Sequence, residues 1–158
     1  MAIRLRPLRD DEVRGFIDEL RREYVRGLIE DAGMSREDAE QKAGDDHASL
    51  FPDGRPQPDH HMYLLEDEAG ESVGHLFWAR RQPQPSTTRA FLYQIYIDEP
   101  FRGHGLGRRA MELFEAEARA EGLPGIDLNV WGGNEQARSF YRTLGFAERA
   151  VFMSKELA

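Results

Sequence analysis

The stretch FLYQIYIDEPFRGHGLGRRAMELFEAEARAE, Phe91 to Glu121, reads as a strand, a glycine-rich loop and a helix. Residues 91–97 are mostly β-branched and aromatic, which suits a pleated and largely buried surface. Asp98-Glu99-Pro100 then stops the ladder, because proline brings no N–H. From Leu106 onward the apolar positions Leu106, Ala110, Leu113, Phe114 and Ala118 recur at helical spacing, with Glu112, Glu115, Arg119 and Glu121 turned outward. A helix therefore begins within the glycines.

Between strand and helix lies Arg102-Gly103-His104-Gly105-Leu106-Gly107-Arg108-Arg109, where no Ser, Thr, Asp or Asn stands at the N-cap. The first turn of a helix leaves several backbone N–H groups without partners, so another group must fill them. Glycines let a backbone approach a ligand closely, the positive helix end attracts an anion, and Arg102, Arg108 and Arg109 offer guanidinium groups. The expected ligand is a phosphate or pyrophosphate. A P-loop is excluded, since its Gly-Lys-Ser/Thr ending is missing and the only lysines are Lys42 and Lys155. A dinucleotide fingerprint fits poorly, because residues 98–102 intervene between strand and glycines. A flexible loop capping an ordinary helix leaves the coincidence of arginines and missing cap unaccounted for.

The pattern Arg102-x-x-Gly105-x-Gly107, preceded by a strand and the turn at 97–100, resembles the acetyl-coenzyme A pyrophosphate loop of the GNAT superfamily of N-acetyltransferases. Downstream, Asn134-Glu135-Gln136-Ala137-Arg138-Ser139-Phe140-Tyr141-Arg142-Thr143-Leu144-Gly145-Phe146 is similar to that superfamily's second signature. The two motifs stand in the right order and cover roughly residues 92–146.

At 158 residues the chain is long enough for one domain with a real core and short for two, so residues 1–158 are read as a single domain. With no cysteine there is neither a disulfide, a thiolate metal site nor a cysteine nucleophile, and no metal is expected. The net charge of -8 argues against a nucleic-acid partner, whose phosphate backbone attracts basic proteins. Neither a signal-peptide core nor a membrane-length apolar run is present, and the expectation is a soluble cytoplasmic protein.

In chain order, Ile3-Arg4-Leu5-Arg6 alternates as a first strand whose pairing ends at Pro7. Asp10 opens a helix with Val13, Phe16, Ile17, Leu20, Tyr24 and Leu28 in one apolar, structural stripe. Ser35 caps a second helix running to about His47. The span Glu30 to Asp46 is the most acidic in the chain, which is either a solvated face or a surface steering a cationic amine. A loop at 51–59 leads to a hairpin of strands 60–67 and 72–80, with Val73, His75 and Phe77 on one side and Gly74, Leu76 and Trp78 on the other. The loop 82–86 precedes the opening strand, giving an antiparallel meander. After a break at 122–125, Ile126 to Trp131 forms a strand parallel to its neighbour across the helix. Asn134 caps a short helix closed by Gly145, and residues 146–155 supply a last strand or hairpin.

The resemblance implies an α+β, three-layer fold: a mixed, mostly antiparallel central sheet flanked by helices, with a splayed parallel strand pair holding the cofactor. It implies acetyl-CoA as co-substrate and direct transfer of acetyl to a primary amine of a small molecule or peptide. Backbone groups of Ile95, Tyr96 and Ile97 pair with the pantetheine, and Arg102, Gly103, His104, Gly105, Leu106, Gly107 and Arg108 surround the diphosphate. Asn134 bonds pantetheine or a water, alongside its capping role. Tyr141 occupies the position that protonates the departing thiolate. Many relatives place a carboxylate on the strand before the loop, but residues 91–96 contain none; Glu66, His61 and His75 are conceivable bases, acting directly or through water, though each reads more readily as ordinary hairpin structure, and an amine of low pKa needs no dedicated base. A protein N-terminal acetyltransferase shares both motifs, and an acetyl-CoA-binding sensor without turnover is the competing class. Homodimerisation is compatible with the resemblance, though no sequence feature demands it.

Overall fold

Five strands pair in the order in which they occur along the chain, and the helices lie on both faces of the sheet they make. The computed structural model describes residues Met1–Ala158. Its elements are β1 (Ile3–Pro7), α1 (Val13–Glu30), α2 (Arg36–Leu50), β2 (His60–Asp67), β3 (Ser72–Gln84), β4 (Thr87–Ile97), α3 (Leu106–Ala120), β5 (Ile126–Leu128) and α4 (Glu135–Thr143). Strands β1 to β4 run antiparallel, and β5 lies parallel to β4 after the α3 crossover. This is the mixed, mostly antiparallel sheet expected from the sequence.

Helix α3 buries Leu106, Ala110, Met111, Phe114 and Ala118 against Leu65, Leu76, Trp78 and Leu92 of the sheet. Each fully buried side chain of this size contributes about 1.5–3 kcal/mol. The polar tips within this layer are satisfied: Tyr63 Oη and Trp78 Nε1 both donate to the Glu117 carboxylate. On the opposite face Phe16 and Leu20 of α1 pack with Phe51, Met62 and Phe77, while Leu28 meets the small residues Ala39 and Ala43 of α2. The alternation along β3 holds from His75 to Trp78, but Val73 joins the α3 layer, beside a bulge between Leu65 and Glu66 on its partner strand.

Three expectations need correction. The loop expected at 82–86 narrows to a turn at Pro85-Ser86: β3 continues to Gln84, opposite Thr87, and the register shift between Arg81 and Gln84 absorbs Pro83. Strand β5 ends at Leu128 rather than Trp131, because the chain there departs from β4. Residues 146–158 form no strand; their last tie to the body is Glu148, held by Arg138 and Arg142 of α4, and beyond it no backbone pairing forms.

Candidate active site

Strand β4 is paired along both edges at one end and along only one at the other. Ala90, Phe91 and Leu92 face Ile126, Asp127 and Leu128 of β5, where the pairing stops. Ile95, Tyr96 and Ile97 stay in register with Leu76, His75 and Gly74 of β3, which leaves their other edge open. This edge depends on Gly74, since a Cβ there would lie 2.1 Å from the Tyr96 carbonyl oxygen. Any larger residue pushes the end of β4 aside.

The gap leads to the start of α3. Gly105 sits at φ +77° in the left-handed region and supplies no side-chain cap. The first helical bond is from the Arg109 amide to the Gly105 carbonyl at 3.1 Å, so the amides of Leu106, Gly107 and Arg108 have no carbonyl partner. Gly107 abuts Phe140 of α4, with 3.4 Å between a built Cβ and the ring. Arg108 reaches Thr143 Oγ1 at 3.3 Å, Arg109 pairs with Glu112 at 3.2 Å, and Arg102 donates to the Ile97 carbonyl at 2.7 Å beneath the Tyr96 ring. The start of α3 thus has free backbone amides with guanidinium groups around them, an arrangement whose charge suits an anion.

Helix α4 forms the facing wall. Asn134 Oδ1 accepts from the Ala137 amide at 3.1 Å, and Gly145 at φ +93° lets the Phe146 amide close the helix on the Tyr141 carbonyl. Tyr141 packs between Phe140 and Phe146, and burial pushes its phenol up to about 12. Ile95, Tyr96, Ile97, Arg102, Gly103, Gly105, Leu106, Gly107, Arg108, Asn134 and Tyr141 all line one open cleft of about 2800 Å³. His104 is exposed and does not line it.

The third wall comes from α1 and α2. Glu23, Glu30, Asp31 and Asp46 line the cleft, so part of the acidic stretch noted in the sequence faces the site. Tyr24, which the sequence places in a structural stripe, also faces the cleft and donates to Asp46 at 2.6 Å. Burial raises the Glu23 carboxyl above its ordinary value, despite Arg26 beside it. Sequence reasoning missed Glu23, although Leu20, Glu23, Gly27 and Glu30 follow helical spacing and form a second stripe beside the apolar one. Across the top, the α1–α2 connection meets the loop before α4: a Cβ on Gly133 would lie 2.5 Å from the Asp31 carbonyl oxygen.

The three conceivable bases lie elsewhere. Glu66 is gripped by Arg4 and Arg6 of β1, whose hydrogen bonds hold its carboxyl below the usual range. His61 stacks on Trp78 at 4.0 Å, near Glu121. His75 is only 6 % exposed, between Phe16 and Tyr96, and burial lowers its pKa. None of the three lines the cleft.

A family model described as the acetyltransferase (GNAT) family matches residues 13–146. YycN of Bacillus subtilis (strain 168), described as an uncharacterized N-acetyltransferase, is 31% identical over 157 residues, covering 99% of this chain and 100% of its own. YdgE of the same bacterium, described in the same words, is 27% identical over 99% of both chains. The crystal structure of YycN superposes with a TM-score of 0.88 at 29% identity, covering 99% of each chain.

Proposed function

The chain belongs to the acetyltransferase (GNAT) family, and from that premise we propose that it is an acetyl-CoA-dependent N-acetyltransferase acting on a primary amine of a small molecule or peptide. One observation carries this reading: the uncapped start of α3, the opened edge of β4 and the half-buried Tyr141 line one cleft. Acetyl-CoA supplies a thioester whose carbonyl carbon the neutral amine attacks, breaking the C–S bond.

In this reading the free amides of Leu106, Gly107 and Arg108 hold the diphosphate, and Gly105 lets it come close. Along the edge that β5 leaves open, the run of Ile95, Tyr96 and Ile97 meets the pantetheine amides as a missing strand does, with Arg102 on the Ile97 carbonyl, and an N–H of this run supports the oxyanion. Tyr141 gives its proton to the departing thiolate. The burial that raises its phenol also raises the proton affinity of a thiolate released beside it, so the shift does not oppose the transfer. The carboxylates of α1 and α2 draw a cationic amine to the cleft. Among them, Glu23 is the carboxylate whose proton affinity burial raises.

Release of free thiol from acetyl-CoA, followed against a panel of polyamines, amino acids, aralkylamines and peptides, tests the proposal. Amine-dependent release that Tyr141→Phe abolishes is the expected result. CoA binding without release for any amine points instead to a non-catalytic binding module.

A further inference from the structure

Most cations that line the cleft are already occupied. On the acidic wall Arg26 pairs with Glu23 and Lys42 with Asp46, and on the β5 side Arg89 pairs with Asp127. Arg102 and Arg108 have oxygen partners near the start of α3. Arg81 lines the same cleft with neither a carboxylate nor a carbonyl on its guanidinium. Its guanidinium carbon lies 4.2 Å from the centroid of the Phe91 ring, so an aromatic face holds the group in place without using any of its N–H donors.

The strands decide which way it points. Arg80 reaches Glu121 beside α3, and its neighbour Arg81 therefore stands on the opposite face of β3, with Phe77 and Ala79. This is the face that α1 covers with Phe16 and Leu20. On β4 the register passes from Leu92, opposite Trp78, to Gln94, opposite Phe77, which leaves Tyr93 as the extra residue of a bulge. The Tyr93 ring thereby joins this face, 4.7 Å from Phe77 and 4.9 Å from Phe91. Its hydroxyl lines the cleft and makes no hydrogen bond within the chain. Burial raises the phenol although Arg81 lies close enough to pull it down, so Tyr93 keeps its proton and can donate it to a hydrogen bond. Tyr93 directly follows Leu92, the last residue of β4 that pairs with β5, so its ring marks the point where the gap between these strands opens. Arg81 stands one ring further on, above Phe91.

We propose that Arg81 and the Tyr93 hydroxyl bind an anionic group of the acceptor, so that the amine this protein acetylates also carries a carboxylate or a phosphate. The inference rests on the acetyl-transfer reading of the cleft. A guanidinium fork matches the paired oxygens of either anion, and the phenol adds a donor beside it. The carboxylates of Glu23 and Asp46 repel such a group and attract the ammonium end. A zwitterionic acceptor is therefore oriented by both of its charges, whereas an amine without an anion leaves Arg81 unused.

Thiol release from acetyl-CoA is measured with matched amines that differ by the anion: L-phenylalanine against phenethylamine, γ-aminobutyrate against propylamine, and phosphoethanolamine against ethanolamine. The anionic member of at least one pair should have the higher kcat/KM, and the pair that responds tells carboxylate from phosphate. For that member Arg81→Gln should raise KM about 10–100-fold, the loss of a charge-assisted bond, with kcat little changed. Arg81→Lys should recover part of the loss, Tyr93→Phe should cause a smaller rise, and the uncharged partner amine should not respond to any of the three. Circular dichroism and CoA affinity should match the parent in each variant. Release confined to amines without an anion, or an Arg81→Gln chain that treats both members of a pair as the parent does, overturns the proposal and leaves the acetyl-transfer reading standing. No release with any amine overturns both.

Discussion

Helices α3 and α4 wall the same cleft and begin in opposite ways. Helix α4 starts at Asn134, whose side chain accepts from the third amide of the helix, just as Ser35 does at the start of α2. Helix α3 starts at a left-handed glycine with no side chain to give. A cap contributes about 1 kcal/mol, so leaving α3 without one forgoes stability that α2 and α4 take. In the proposed function this contrast divides the work: α3 would offer its backbone to an anion, whereas α4 satisfies its own backbone and would offer a side chain, Tyr141, to the chemistry. Binding and turnover should therefore separate by helix.

The largest effect is expected on turnover. Tyr141→Phe should lower kcat by about 10²–10⁴-fold in steady-state assays, the usual range for a lost general acid. CoA affinity should stay near the parent value, and an equal loss in both would erase the distinction between the helices. Gly105→Val acts in the opposite sense. The β-branched residue resists φ +77°, and losing two charge-assisted bonds at about 1.5–3 kcal/mol each weakens CoA by two orders of magnitude or more in calorimetry. No neighbour lies within 4 Å of a Cβ at that position, so the fold should survive. Asn134→Ala tests the capped side. It should cost about 1 kcal/mol, a fall of roughly 2–4 °C in Tm for a chain of this size, with turnover affected less than by Tyr141→Phe.

The smallest effect is on pH. Burial lowers the pKa of His47, His60 and His75 in the folded state. Below the ordinary histidine value the unfolded chain takes up protons that the folded chain refuses, so stability should fall as pH drops from 7 towards 5. Tyr141, pushed up to about 12, keeps its proton throughout the assay range. The rate should therefore rise with pH to a plateau as amine is freed, with no descending limb through pH 10 from this group. Thermal melts and pH–rate profiles check the two statements.

The α3 side of this comparison was legible in the sequence, because it is written in what local residues lack. Glycines at 103, 105 and 107 and the missing cap are properties of eight consecutive positions. The β2–β3–β4 meander and the parallel β5 followed from the hairpin and the crossover for the same reason. The acidic wall was only half legible: charge density marked residues 30–46, but which carboxylates face the cleft depends on how α1 crosses the sheet. Glu23 is placed by that crossing rather than by its neighbours. The bases failed likewise, since His61, Glu66 and His75 sit on strands whose partners, Trp78, Arg4 and Tyr96, are distant in sequence. The tail reads as a strand because its residues favour one, yet no backbone pairing holds residues 146–158.

The most direct test of the central claim is calorimetry of cofactor-free protein with CoA and with pantetheine, which lacks the diphosphate, comparing the parent chain with Gly105→Val. CoA should bind the parent far more tightly than pantetheine does, and Gly105→Val should remove most of that difference. Parent protein that gives no heat with CoA, or a Gly105→Val chain that binds CoA as the parent does, contradicts the assignment of the diphosphate to the start of α3.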